Sequence, residues 1–137
     1  MTPTALTLRL LRRRGYLADV CERWVPIPDK NIRRDLFGAF DVAAIHRDLP
    51  GVLGVQTTSL AGLSARVKKL RSLRAVQRWV KAGNAVQCHG WLQRASKWRV
   101  KIVELRADDL CPVIVEAPRR RRPARHVQGE LFASEPG

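Results

Sequence analysis

Acidic residues are scarce in this chain. Twelve Asp and Glu face 26 Lys and Arg, a formal charge of +14 over 137 residues. Like charges repel in a compact state, so the excess does nothing for folding and points to a polyanionic partner. Without the residues from Arg119 onward, 21 basic residues still stand against 10 acidic ones, or +11. The basicity therefore belongs to the folded part, and nucleic acid is the first partner to consider. A ribosomal-type or histone-like role fits the charge, and so does an enzyme acting on DNA or RNA. Cysteine is nearly as rare: Cys21, Cys88 and Cys111 are odd in number and lack CxxC spacing. That argues against a disulfide framework and against a zinc site, and favours reduced thiols in the cytoplasm. No apolar run approaches the ~20 residues that span a bilayer, so no membrane partner is expected. The first leucines precede Arg12, Arg13 and Arg14, the reverse order of a secretory signal. No glycine-rich phosphate loop occurs, since Gly51-Val-Leu-Gly54 falls on a strand pattern.

What remains is an ordinary globular composition, 45% hydrophobic and 28% charged. The length suits one domain, read as residues 1–118, followed by a flexible basic tail over 119–137 that begins RRRRPAR. Thr2 and Pro3 start a short helix that Gly15 stops. Tyr16 to Val25 alternates as a strand, with Ala18, Val20, Glu22 and Trp24 on one face. Pro26 to Asn31 reads as a loop ending in Arg33-Arg34-Asp35. Leu36 to Ile45 is apolar on both faces apart from Asp41 and reads as an interior strand. After the turn Asp48-Leu-Pro50-Gly51 comes a strand over Val52–Ser59. Leu60, Leu63, Val67 and Leu70 then form a helical stripe, and Leu73, Val76, Trp79 and Val80 a second one. Ala85–Gln93 and Trp98–Leu105 read as two strands joined by a turn, with a further extended piece at Pro112–Glu116. The order αβββααββ makes a mixed α/β domain.

Asp41 is the most informative residue. A carboxylate among Phe37, Ala39, Phe40, Val42, Ala43 and Ile45 costs several kcal/mol if buried and unpaired. Either it forms a structural ion pair with an arginine, or it is a metal ligand or general base at a strand's edge in a cleft. Gln56 and Thr58 lie two apart on the next strand and share a face. With a four-residue hairpin loop at Asp48–Gly51, Arg47 pairs with Val52 and Asp41 lies opposite Thr58, so the three converge. Glu22 interrupts an apolar face of the first strand and joins them if that strand is a neighbour.

The runs Val20-Cys-Glu22-Arg-Trp24-Val-Pro26, Arg34-Asp35-Leu-Phe-Gly38-Ala-Phe-Asp41 and Leu53-Gly-Val-Gln56-Thr-Thr58-Ser59 resemble the PD-(D/E)XK nuclease superfamily. Ala65-Arg66-Val-Lys-Lys69-Leu70 and His89-Gly90-Trp91 add to the likeness, which covers residues 6–106. It is similar to small bacterial and phage proteins of that fold, relatives of Holliday-junction resolvases and VRR-NUC domains. The resemblance implies a restriction-endonuclease-like mixed sheet flanked by helices. It also implies a bacterial or phage-encoded metal-dependent endonuclease cutting DNA, more expected than RNA, with Mg²⁺ or Mn²⁺ as cofactor. In that superfamily an Asp on the second core strand and the acid of an E-x-K on the third bind the ion, and the lysine positions or activates water. Asp41 matches the Asp, whereas Gln56 takes the acidic position and Thr58 the lysine position. The Gln56 amide oxygen and the Thr57 carbonyl can still serve a cation. Lys69 or Arg66 is a candidate to replace the lysine, and Glu22 or Asp35 to restore acidity. Many relatives dimerise to cut two strands, so a homodimer is a further expectation. The rival reading is a catalytically inactive PD-(D/E)XK-like module that only binds nucleic acid.

Phosphate contacts are expected from Arg33, Arg34, Arg66, Lys68, Lys69, Arg71, Lys97, Arg99 and Lys101. His89, beside Cys88 in a strand, reads as a packed core histidine, and His46 as the end of a strand. Trp24, Trp79, Trp91 and Trp98 read as core, with Trp98 also able to stack on a base.

Overall fold

The computed structural model describes residues 1–28, 30–110 and 131–135. Helix α1 (Pro3–Arg13) starts where Thr2 Oγ1 accepts from Ala5 N at 3.2 Å and Pro3 fills the first turn. Leu6, Leu10 and Leu11 are its buried stripe. Arg12 at its end reaches the Ala18 carbonyl at 2.8 Å, tying the helix to strand β1 (Leu17–Val20). Strands β2 (Arg23–Ile27) and β3 (Lys30–Arg34) form a separate antiparallel hairpin. Then follow β4 (Val42–Ile45) and β5 (Leu53–Ser59), a 3₁₀ turn (Leu60–Gly62), α2 (Leu63–Ser72), α3 (Arg74–Lys81), β6 (Ala85–Arg94) and β7 (Lys97–Leu105). Strand β8 is Leu131–Glu135.

The large sheet has the order β1-β4-β5-β6-β7-β8. Its pairs are antiparallel except β5–β6, which is parallel and so needs the crossover that α2 and α3 supply. Alternate β6 side chains feed two cores. Val86 and Cys88 pack with Leu63, Leu70 and Val76 from α2 and α3. Trp91, from the opposite face, packs with Leu6 and Leu10 of α1. The domain is a mixed α/β structure with helices on both faces of its sheet.

Three expectations are corrected. The alternation from Tyr16 to Val25 is not one strand: β1 joins the large sheet, and β2 departs after Cys21-Glu22 to pair with β3. Cys21 N donates to Asp41 O at 2.9 Å, which closes the β1–β4 pairing there. The basic pair Arg33-Arg34 therefore lies on a strand rather than in a loop. The interior strand expected over Leu36–Ile45 begins only at Val42. Before it the chain reverses, with Phe37 at φ 57°, Gly38 at φ 67° and a bridge from Leu36 to Phe40. Its apolar residues are buried by folding onto neighbours: the Phe40 ring lies 4.7 Å from that of Trp79 and fills the space a Cβ on Gly54 would need. Finally, within the span read as a tail, strand β8 pairs with β7 from Trp98↔Glu135 to Ile102↔Leu131. An outer β7 edge would otherwise offer unpaired backbone groups. The expected piece at Pro112–Glu116 lies outside the described residues, as does Cys111. Over the large sheet before β8 the elements run helix, three strands, two helices, two strands, and the β2–β3 hairpin interrupts that order.

Phe40 is fully buried between Gly54 and Trp79. Phe40→Ala should lower the unfolding free energy by about 3–5 kcal/mol, read from urea denaturation. Leu49→Ala, at an exposed turn residue, should stay within about 0.5 kcal/mol.

Candidate functional site

The β2–β3 hairpin leaves the large sheet after β1 and returns to it before β4. Glu22 stands at its exit, Asp35 follows β3, and Asp41 immediately precedes β4. The loop between the two aspartates is pinned by Phe40. The carboxylate oxygens of Glu22, Asp35 and Asp41 lie within 4.8 Å of one another.

The Asp41 side chain is only 6% exposed. Its Oδ2 accepts from Gln56 Nε2 at 2.8 Å, Thr57 N at 2.7 Å and Thr57 Oγ1 at 3.0 Å. All three donors are neutral, and no arginine–Asp41 ion pair occurs among the described residues. The structural ion-pair alternative for Asp41 is therefore not what is found. Burial, and then the neighbouring Asp35 carboxyl, push the Asp41 carboxyl up to about 6, against the opposing pull of the Thr57 donors. Gln56 is 1% exposed and its Oε1 has no hydrogen-bond partner among the described residues. A buried amide oxygen left without a donor is costly unless something fills the role.

These groups line a cleft of about 400 Å³, whose rim includes Arg33, Arg66 and the start of α1. Thr4 Oγ1 meets Thr57 Oγ1 at 3.1 Å. Arg33 Nη1 lies 3.4 Å from Glu22 Oε1.

The sequence places Asp41 opposite Thr58, but the register is offset by two residues. Val42 pairs with Val55, and Asp41, just before the ladder, donates its N–H to the same Val55 carbonyl at 2.9 Å. Asp41 and Gln56 still meet, through the Gln56 Nε2–Asp41 Oδ2 bond, but the same oxygen also takes the Thr57 hydroxyl from the other face of β5, so the contact comes from where the loop sets Asp41 rather than from strand alternation. Thr58 does not join them; its Oγ1 sits against Gly62 of the 3₁₀ turn. Thr57 takes its place through its backbone N–H and its hydroxyl, neither of which side-chain periodicity reveals.

Of the two candidates to replace a lysine, Arg66 lines the cleft, whereas Lys69 is an exposed residue of α2 that does not. Arg71 is half-buried, and its Nε donates to Asp109 O at 2.8 Å, which ties α2 to the 3₁₀ turn Ala107–Asp109 after β7. Lys68 is exposed on α2, Arg34 on the hairpin, and Lys97 and Arg99 on β7, while Lys101 is half-buried; none of them lines the cleft. His89 is a core residue: Nδ1 meets Thr7 Oγ1 at 3.1 Å and Nε2 meets Gln87 Oε1 at 2.9 Å. Burial, and secondarily Arg14, lower it to about 3, so it stays neutral. His46 packs edge-on against Tyr16, away from the cleft. Trp91 is buried and Trp79 and Trp98 partly so, but Trp24 is 61% exposed and not core.

No protein-family model, no curated protein and no solved structure matches this chain.

The raised Asp41 value gives a signed pH dependence. A carboxyl that binds its proton more tightly when folded contributes stability fully present below about pH 4 and lost as pH rises through about 6. Asp41→Asn removes this titration. In metal-free buffer the stability difference between variant and wild type should shift in the variant's favour between pH 4 and pH 7, then level off. Urea midpoints across that range check it, and a constant difference would remove the buried-charge account.

Proposed function

We propose that the chain is a divalent-metal-dependent nuclease that hydrolyses phosphodiester bonds of nucleic acid, DNA rather than RNA. One observation carries this reading: three carboxylates crowd the floor of a cleft beside a buried amide oxygen that has no partner among the described residues, in a protein with a charge of +14. Adjacent carboxylates repel each other, and a hard cation that takes oxygen ligands resolves both the repulsion and the orphaned acceptor. Glu22, Asp35, Asp41 and Gln56 Oε1 are the oxygens that would hold Mg²⁺ or Mn²⁺. Such an ion, when bound, polarises a phosphate and makes a bound water a better nucleophile.

The chain's own residues divide the remaining work. Gln56 and Thr57 fix one oxygen of Asp41, which orients the carboxylate. Within a strand, a residue's N–H and C=O project to the same side. The Thr57 N–H faces Asp41, which puts its carbonyl on the same edge. Arg33 and Arg66 offer the substrate phosphate two permanent positive charges at the rim. An arginine does not deprotonate near neutrality, so Arg66 stabilises developing negative charge rather than serving as a base. The restriction-endonuclease-like reading draws support from the β1-β4-β5 meander, the helical crossover to parallel β6, and an aspartate at the start of the second strand facing Gln56 on the third.

Plasmid, branched and single-stranded oligonucleotides incubated with the full chain in Mg²⁺ or Mn²⁺ test the proposal. Cleavage is expected, to be abolished by EDTA and to fall at least about a hundredfold in Asp41→Asn and in Glu22→Gln, a loss of about 2.7 kcal/mol in transition-state stabilisation. Cleavage unaffected in Asp41→Asn would place the activity elsewhere. Binding without cleavage of any substrate would establish the inactive binding module instead.

Affinity gives a separate check. With roughly six phosphate contacts on duplex DNA, log affinity against log salt should have a slope of about −5. A flat dependence would overturn the electrostatic account.

A further inference from the structure

The β2–β3 hairpin carries a feature that metal chemistry does not use. Trp24 is 61% exposed, an unusual placement for the largest apolar side chain. The Arg33 guanidinium lies over its ring at 4.9 Å from the centroid. The same Arg33 contacts Glu22 in the cleft at 3.4 Å. Trp24 and Arg33 are cross-strand partners, and so are Arg23 and Arg34. Both members of that second pair are exposed, and no carboxylate pairs with either among the described residues. Directly opposed like charges on a two-stranded hairpin destabilise it. An anionic partner removes that cost.

We infer that this hairpin is a stacking platform for an unpaired nucleotide next to the cleft, so that the preferred substrate contains single-stranded or unpaired segments rather than continuous duplex. The inference rests on the nucleic-acid reading above. Glu22 and Trp24 lie two residues apart, about 7 Å along an extended chain, which sets the ring one short step from the carboxylates. Arg33 supports one region of the indole and keeps it in place beside the cleft. The open surface of the ring is available to a base, whose π-face stacks without regard to sequence. A base within a duplex already stacks on its neighbours, so only an unpaired one gains from Trp24. Arg23 and Arg34, from the other face of the hairpin, serve the phosphates on either side of that nucleotide.

Equilibrium binding of the full chain in EDTA, where no cleavage is expected, tests this by fluorescence anisotropy. The probes are a labelled oligothymidine single strand and a blunt duplex of the same length. Trp24→Ala should weaken single-strand binding between about fivefold and a hundredfold and change duplex binding less than twofold. Trp24→Phe, which keeps a ring, should recover most of the affinity and guards against a folding defect. Tryptophan emission of the wild type should be quenched by the single strand, and less so in Trp24→Phe. Equal losses on both probes, or no loss in Trp24→Ala, would overturn the inference and leave the nuclease proposal standing. No binding of either probe by the wild type would overturn the nucleic-acid reading itself. A dimer in sedimentation that Trp24→Ala dissociates would assign the ring to a self-contact and overturn the stacking role.

Discussion

Everything near the cleft depends on one oxygen. Asp41 Oδ2 gathers the Gln56 amide, the Thr57 backbone N–H and the Thr57 hydroxyl. Those bonds fasten the start of β4 to β5 at the point where the β2–β3 hairpin rejoins the sheet. They also make a buried charge tolerable without a counter-ion, because hydrogen bonds to a charged acceptor are stronger than neutral ones. The same bonds leave Oδ1 outside the set. The other side of the carboxylate faces its neighbour Asp35, so Asp41 is held to β5 by one oxygen while it shares the carboxylate cluster.

Apolar packing sets the distance between the acids. The segment from Asp35 to Asp41 turns through Phe37 and Gly38, both at positive φ. Phe40 then drives into the space that Gly54 leaves. Any Cβ at residue 54 would contest that space, so the glycine determines how deeply Phe40 seats and with it where Asp41 falls. Cys21 completes the arrangement, its Sγ donating to Phe40 O at 3.3 Å. Burial, and secondarily the Asp41 charge, raise this thiol to about 11, which keeps it protonated and unreactive. A carboxylate cluster that repels itself is held together by a hydrophobic anchor immediately before Asp41.

The elements with a strong local cause were legible in the sequence. The Thr2-Pro3 cap, the apolar stripes of α2 and α3, and the strands β5, β6 and β7 follow from periodicity and turn chemistry. Asp41 and Gln56 do meet, as strand alternation leads one to expect, but the loop before β4 brings them together, since Asp41 lies outside the β4–β5 ladder. What was hidden is tertiary. The alternation of Tyr16–Val25 runs on unbroken because β1 and β2 each alternate, and no Gly or Pro marks where the chain changes partners. Thr57 enters through a backbone N–H, which leaves no trace in a side-chain pattern, whereas side-chain alternation points to Thr58. Trp24 looked like core because its face also holds Ala18 and Val20; once β2 leaves the sheet, no core lies beneath it.

On the nuclease reading proposed above, Gln56 is the main departure from the expected acid, and its surroundings bear on how that departure would work. With Glu22, Asp35 and Asp41 already within 4.8 Å of one another, a glutamate here would bury a fourth negative charge at a position 1% exposed. It would also lose the Nε2 donor that holds Asp41, since an ionised carboxylate only accepts. An amide supplies that donor to Asp41 without adding a charge. The acidity absent from position 56 stands instead on Glu22 and Asp35, at the two points where the hairpin leaves the fold and returns. Because Arg33 of that hairpin reaches Glu22, moving the negative charge off β5 also links the carboxylate cluster to the basic arm beside it. Any cation that competes with Arg33 for Glu22 thereby acts on the hairpin's own charge, and the position of the acids becomes part of how the arm is set.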